Sequence, residues 1–346
     1  MGKFHAIVAK SSFVLGSEVD DFEKEYASLE GAGFCVGVDN GTNAIELMLR
    51  AAGVKADDEV ITSAMTFIAT IFAIERIGAK AVLVDTLPNS PLMDYSKIEE
   101  CITARSKAIL VVTLHGRVEH LDSYSEIART NGIELLIDGA QSHLARFETQ
   151  PLTRYATAVS TSFYPGKNFG SLGEGGAVLT DQIEIAENVK IYRDWGAKEK
   201  YHHDEWGGNF RLHAIQAAFL SVKLPHLAVW TGKRKQIAEK YQADIQDGLT
   251  RPKFLPGGDH VYHIYDLNLR NRQHAISIFD RNEISWGIHY PKIISDNKAY
   301  RHLAEREYAN ARDFSESTLS IPLFPDMNGE EIERVVETCN EVGRFN

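Results

Sequence analysis

Residues 107–138 read KAILVVTLHGRVEHLDSYSEIARTNGIELLID, and this stretch decides the fold. KAILVVTL (107–114) is an unbroken apolar run, as expected for a strand buried on both faces. SYSEIARTNG (123–132) reads as a helix. IELLIDGA (133–140) is a second apolar run, which ends on Asp138. Strand, helix and strand in succession describe a crossover, and crossovers build mostly parallel sheets covered by helices.

The same rhythm holds toward the N-terminus. GFCVGVDN (33–40) is a strand running into a turn, and TNAIELMLRAAG (42–53) carries apolar residues at helical spacing with Gly53 as a stop. EVITSA (59–64) is a short strand, TFIATIFAIERIG (66–78) a helix and AKAVLVD (79–85) a strand, followed by a helical segment near Ser96–Cys101. Beyond Asp138 the rhythm changes. AVSTSF (158–163) and GEGGAVLT (173–180) are strands joined by a glycine-rich loop too short for a crossover helix. Such a connection favours a hairpin or an odd strand at the sheet's edge. Helices follow around Ala214–Leu224 and Lys233–Gly248. HIYDLNLR (263–270) and WGIHY (286–290) read as strands around a helix near Gln273–Asn282, and a last helix covers Glu330–Val342. The expected class is α/β: a mixed, mainly parallel sheet with helices on both faces, plus a small C-terminal α+β domain. A boundary near Trp230 gives a large domain, 1–230, and a small one, 231–346.

Composition narrows the function. A net charge of −11 argues against a general nucleic-acid binder, which needs a basic surface. It leaves room for a local cationic pocket that takes small anions. No run of 18 apolar residues is present, so no membrane span is expected. MGKFHAIVAKSSF is too polar for a signal peptide, and Ala6 breaks the myristoylation pattern. Cys35, Cys101 and Cys339 are far apart and odd in number, which gives neither a disulfide framework nor a CxxC metal site. A cytoplasmic location is expected.

Candidate chemistry gathers at strand ends. In an open parallel sheet, ligands bind beyond the carboxyl ends of the strands, which is where Asp138 falls. Gln141 and His143 follow closely and make a polar cluster there. Lys167 sits in STSFYPGKNFGSLGEGGAV with Gly166, Gly170 and Gly173 around it. Glycines let backbone approach something closely, and a Lys held in such a place tends to a depressed pKa and nucleophilic use. DNGTNA opens a helix at Thr42–Asn43, as a cap or as a phosphate site at the helix N-terminus. GxGxxG and GxxxxGK[ST] are both missing, so dinucleotide and P-loop readings lose their main support. HHDE (202–205) invites a metal, but neighbouring loop residues rarely converge on one ion; a solvated or substrate-facing loop is the better reading, and no metal is expected.

Taken together these blocks resemble the DegT/StrS type of pyridoxal-phosphate (PLP) nucleotide-sugar aminotransferases. The resemblance runs from FVLGSEVDDFEKEYA through GVDNGTNAIELML, DEVITSAMTFIATIFAI, HGRVEHLDSYSEIA, LIDGAQSH, SFYPGKNFGSLGEGGAVLT and WGGNFRLHAIQAAFLSVKL to GIHYP. It implies the PLP type I fold and pyridoxal 5′-phosphate as cofactor. Lys167 would carry the cofactor covalently and move the proton. Asp138 would pair with the pyridinium nitrogen, Gln141 would lie against the ring oxygen, and Phe67 would stack on the ring. Thr42, Asn43 and Ser162 would hold the phosphate. Asn209, in GGNFR, matches an asparagine that reaches the neighbouring subunit's cofactor, which implies a homodimer with shared sites. Arg211, His289 and Tyr290 are candidates for the sugar nucleotide. The implied reaction passes an amine from an amino acid, glutamate, to a nucleotide-linked keto sugar.

PGKN, DWGAKEKYHH and IQAAFLSVKL look most like enzymes that aminate C3 of dTDP-linked 3-keto-6-deoxyhexoses, in deoxyamino-sugar and glycan biosynthesis. Three departures touch the sugar side. Thr42–Asn43 stands where that group usually has Leu-Asp, NFRLH (209–213) where it has Asn-Ser-Arg-Leu-Asp, and Ser295 at the last His of HYPxPxH. The alternatives are a 4-keto nucleotide-sugar aminotransferase and a non-catalytic PLP-fold regulatory protein. A nicotinamide-dependent sugar oxidoreductase would fit the α/β pattern without its glycine fingerprint.

Overall fold

The computed structural model describes residues 2–246, 248–252 and 255–344. Its centre is a seven-stranded sheet. In spatial order the strands are Phe34–Val38, Gly176–Thr180, Ala158–Ser162, Glu134–Asp138, Ser106–Val112, Glu59–Ser63 and Lys80–Val84. Gly176–Thr180 is antiparallel to both neighbours, and the other pairings are parallel. The apolar runs are buried as their composition demands: the strands 59–63, 158–162 and 176–180 have no exposed residue. Helices cover both faces, with one core around Leu47, Ile71 and Leu110 and another around Phe22, Ile109 and Leu135.

The short loop after residue 163 does close a hairpin, between Ala158–Ser162 and Gly176–Thr180. Of the two alternatives, hairpin or edge strand, the structure takes the first, and the odd strand is internal. Its free side is taken by Phe34–Val38, with Phe34 opposite Thr180 and Val38 opposite Gly176. An apolar strand left open on one side is a template for pairing, and the N-terminal strand fills it. Gly176 allows the contact: a Cβ there would lie 2.6 Å from the Asn40 carbonyl carbon.

The C-terminal part departs more. Tyr265–Asn268 forms a strand, but its antiparallel partner is Thr318–Ile321, not WGIHY. Trp286–Tyr290 contributes one isolated bridge, Gly287 with Ser320. The His289 carbonyl faces the His115 ring instead of a neighbouring strand, and Pro291 next to this segment has no N–H to give. Four helices were also not read from the sequence: Gly2–Lys10, Ser17–Glu30, Ile183–Arg193 and Ala309–Ser317. The helix Leu227–Asp244 spans residue 230. Leu227 at its start belongs to the sheet core, whereas Ile237 and Tyr241 belong to a separate C-terminal core with Leu267, Phe279 and Val335. Ile293, Tyr308 and Phe314 return to the sheet core. We propose the domain division within this helix, with residues 293–314 packed back on the large domain. No helix among the described residues is long and apolar enough to cross a membrane.

Candidate active site

The parallel strands end together, and the site is built from their last residues and the loops beyond. Asn40 and Gly41 come after the first strand, Thr113 after Ser106–Val112, Asp138 and Ser162 end their own strands, and Lys167 lies in the hairpin loop. Together they border a cavity of about 1090 Å³. Of the residues singled out in the sequence, Thr42, Asn43, Phe67, Asp138, Gln141, Ser162, Lys167, His289 and Tyr290 line it. Asn209 and Arg211 do not. They sit on an outer segment where Arg211 Nε donates to Asn209 Oδ1 at 3.0 Å and Arg211 Nη1 lies 3.2 Å from Asp194 Oδ1.

Asp138 forms the floor and is 6% exposed. Its Oδ2 accepts from Thr70 Oγ1 at 2.8 Å and its Oδ1 from the Ala140 N–H at 3.2 Å. The Thr70 hydroxyl is itself 2.8 Å from that of Thr66. Burial pushes the Asp138 carboxyl up, and these hydrogen bonds with the Lys167 charge pull part of the way back. A carboxylate stripped of water in this way is complementary to a cation placed over it. Lys167 is the reciprocal case: burial lowers its ammonium pKa, opposed by Asp138. Its loop is tied by Ser171 Oγ, which donates to the Phe163 carbonyl, and by Lys223, whose Nζ donates to the Gly170 carbonyl. Of the three glycines, Gly170 is the one that sterics demand. A Cβ there would lie 2.5 Å from the Pro165 carbonyl oxygen, whereas at Gly166 it would meet only ordinary contact.

The opposite end is the start of helix Gly41–Ala51, capped by Asn40, whose side chain accepts from the Asn43 N–H. A Cβ on Gly41 would lie 2.6 Å from the Ser162 Cβ, so only glycine lets the helix end approach that strand end. Helix amides and the Thr42 and Ser162 hydroxyls therefore border one concavity suited to an anion. The Asn43 side chain is spent inward: Nδ2 donates to Asp39 at 2.9 Å and Oδ1 accepts from Arg76 Nη1 at 2.8 Å. Sequence reading missed Arg76, which lines this end and pairs with Glu46 at 2.9 Å; as the last-turn base of Ile68–Arg76 it resembles an ordinary helix ending. Thr70 was also missed, because nothing in its own helix marks it as Asp138's partner.

The remaining wall is aromatic. Phe67 is 51% exposed, and its ring centroid is 5.5 Å from that of Tyr290. Such an open ring offers a face to a flat ligand. Gln141 Nε2 lies 3.4 Å from Tyr290 Oη. Burial lifts the Tyr290 phenol to about 12, so it stays protonated. Burial, aided by the charges of His115 and Lys167, takes His289 down to about 4, so its ring is neutral. His143 departs from the strand-end cluster. It lies in the core beneath the cavity, with Nε2 3.0 Å from the Ser162 carbonyl, and burial lowers it to about 3. The His202–Glu205 segment belongs to an exposed hairpin, Ala197–Glu199 with His202–His203.

The buried histidines carry a pH consequence. His143 and His260 both fall to about 3, with burial as the main cause. Their folded pKa values lie below the unfolded one, so the unfolded chain binds more protons. The penalty is absent above about pH 6.5 and grows as pH falls toward 3. From pH 7 to 5.5 the pair should remove about 2–3 kcal/mol of folding free energy. Urea unfolding at the two pH values measures it; equal stabilities would reject neutral burial of these rings.

The model of the DegT/DnrJ/EryC1/StrS aminotransferase family matches residues 1–340. The chain belongs to this family. The aminotransferase is 38% identical over 332 residues to the dTDP-3-amino-3,6-dideoxy-alpha-D-galactopyranose transaminase of Aneurinibacillus thermoaerophilus, covering 96% of this chain and 92% of the relative. It is 33% identical to the UDP-N-acetyl-3-dehydro-alpha-D-glucosamine 3-aminotransferase of Acidithiobacillus ferrooxidans, covering 95% and 89%. Its fold superposes with a TM-score of 0.96, at 32% identity and covering 99% and 93% of the two chains, on the crystal structure of S. venezuelae DesV in complex with a ketimine intermediate. It is a PLP-dependent sugar aminotransferase. The residues fit the cofactor: a buried carboxylate, an open aromatic face and an amine line one cavity, with a glycine-permitted cradle beside Arg76.

Proposed function

We propose that this aminotransferase moves the amine of glutamate onto C3 of a dTDP-linked 3-keto-6-deoxyhexose, working as a homodimer with shared sites. The observation that carries the transfer is the Lys167 amine, which lines one cavity with the buried Asp138 carboxylate and with His289 and Tyr290. Bound PLP supplies an electron sink for charge developing on the substrate carbon. The chain's own residues do the rest. Lys167, its amine kept easily deprotonated by burial, holds the cofactor and moves the proton at the substrate carbon. Asp138 keeps the pyridine nitrogen protonated, and Gln141 addresses the ring oxygen. Phe67 covers the ring face. Thr42 and Ser162 take the phosphate, with Asn43 bracing Asp39 and Arg76 behind them. His289, Tyr290 and Arg211 are assigned to the sugar nucleotide. C3 and dTDP lean on the A. thermoaerophilus relative, and the UDP-linked relative makes the nucleotide the first variable to test.

A sugar held by its diphosphate presents one carbonyl to the site, and misplacement by about 1 Å already costs about 100-fold in rate. Supplied with glutamate and either dTDP-3-keto- or dTDP-4-keto-6-deoxyhexose, the protein should aminate the former. NMR locates the new amine, and exclusive C4 amination would reject the C3 assignment.

Asn209 and Arg211 lie outside their own chain's cavity, which supports their action in a second copy's site. Mixed Lys167→Ala and Asn209→Ala subunits should regain activity, because one site of the mixed dimer carries neither defect. No recovery after demonstrated subunit exchange would overturn sharing. With Cys35, Cys101 and Cys339 buried as free thiols, the enzyme is assigned to the cytoplasm, and cell fractionation should recover its activity apart from membranes.

A further inference from the structure

His115 has no part in the assignments above. It is fully buried and holds a left-handed φ of 63°. That turn aims its groups in different directions. Its N–H donates to Gln141 Oε1 at 2.5 Å, and its carbonyl accepts from the His263 N–H at 3.0 Å. Its ring lies between two oxygens: Nδ1 is 2.9 Å from Asp266 Oδ1, and Nε2 is 3.0 Å from the His289 carbonyl oxygen. An ionised carboxylate and a backbone carbonyl are acceptors only, and a neutral imidazole has a single N–H. One of the two contacts would then press a lone pair against an oxygen. Both are satisfied when both ring nitrogens carry protons.

Asp266 supplies the counter-charge. Burial alone would raise its carboxyl, but the hydrogen bond and charge of His115, with the charge of Arg117, hold it below its usual range. The other groups near the ring leave this pair intact. His260 and His289 are neutral by burial, at about 3 and about 4, and His263 lies well below its ordinary value for the same reason. Arg117, which lies 2.8 Å from Glu119, adds to the field that favours an ionised Asp266, and Lys167 belongs to the cavity.

We propose that His115 is a positioning residue, held as an imidazolium by Asp266, that sets both the Gln141 amide and the His289–Tyr290 wall of the cavity. The Gln141 consequence is specific. With Oε1 fixed on the His115 amide, its NH2 group is the end turned toward Tyr290 and the cavity. Asp266 lies on the strand Tyr265–Asn268, so the C-terminal core reaches the cofactor end through one buried charge. The inference rests on the proposed role of Gln141 but not on any choice of sugar.

The test uses the PLP-loaded protein with 15N-labelled histidine, the His115 signals being assigned by their loss in His115→Gln. In the wild type, under the conditions of the bleaching assay, both His115 nitrogens should resonate as protonated, the signature of a ring that donates to two acceptors. Asp266→Asn keeps the shape and lets the ring go neutral. One nitrogen should then shift to the unprotonated position, and the glutamate-driven bleaching of the yellow cofactor should slow about 10- to 100-fold, with half-saturation by glutamate changing less. His115→Gln should slow it similarly. A neutral His115 in the wild type overturns the proposal even if neither variant folds. So do folded, cofactor-loaded variants that bleach at the wild-type rate. Because bleaching needs no sugar, an error in the sugar assignment leaves this result readable.

Discussion

Lys167→Ala is expected to bind PLP without a covalent link and to lose turnover by on the order of 10⁴-fold, the upper range for removing one acid–base group. Two properties meet at this residue. Its loop is tied at Gly170, Ser171 and Lys223, which fixes where the amine stands. Its pKa is lowered by burial, which raises the fraction of neutral amine near pH 7. In the wild type, borohydride reduction followed by peptide mapping should leave the cofactor's mass on the peptide holding Lys167. A label on any other lysine, or an Ala variant that still turns over, would remove Lys167 from its role.

Asp138→Asn should lower kcat by about 10²- to 10³-fold, the scale for losing one preorganised electrostatic partner. The amide has nearly the same shape, and its oxygen can still accept from Thr70. What disappears, together with the acceptor of the Ala140 N–H, is the negative charge proposed to face the pyridine nitrogen. That interaction strengthens as negative charge develops on the substrate carbon, so the loss belongs in kcat more than in KM. Removing the desolvated carboxylate favours the folded state, while the Ala140 N–H loses its acceptor, so the melting temperature should change little. Near-normal kcat in a folded, cofactor-loaded variant would refute the assignment.

Much of this was legible in the sequence where one segment carries the whole signal. Apolar runs such as IELLID and EVITS announce buried strands because both of their faces must leave water. Lys167 was legible because a lysine among glycines between two such runs has no ordinary surface role. What was not legible depends on distant partners. Thr70 touches Asp138 across 68 positions, and His115 touches Asp266 across 151. Neither residue differs locally from one facing solvent. That the odd strand is internal was not legible for the same reason: the hairpin was local, but the second neighbour of Gly176–Thr180 came from residues 34–38. The helix Ser17–Glu30 was a different omission. Val19, Phe22 and Tyr26 do fall on one buried face, but SEVDDFEKEYASLE is so acidic that its apolar stripe is thin.

The pairing of Phe34–Val38 with Gly176–Thr180 also sets an order of events at the ribosome. The first strand meets its neighbour in the central sheet roughly 140 residues later in the chain, which at about 5–20 residues per second means a delay on the order of ten seconds. Until then the helix start at Gly41 has no Ser162 to lie against, and the cradle at that end of the cavity does not exist. The nascent chain must carry an apolar strand unpaired through that interval, a burden that falls on chaperones. Cofactor capture is therefore a late step of synthesis, and a chain released before residue 180 would be colourless as well as inactive.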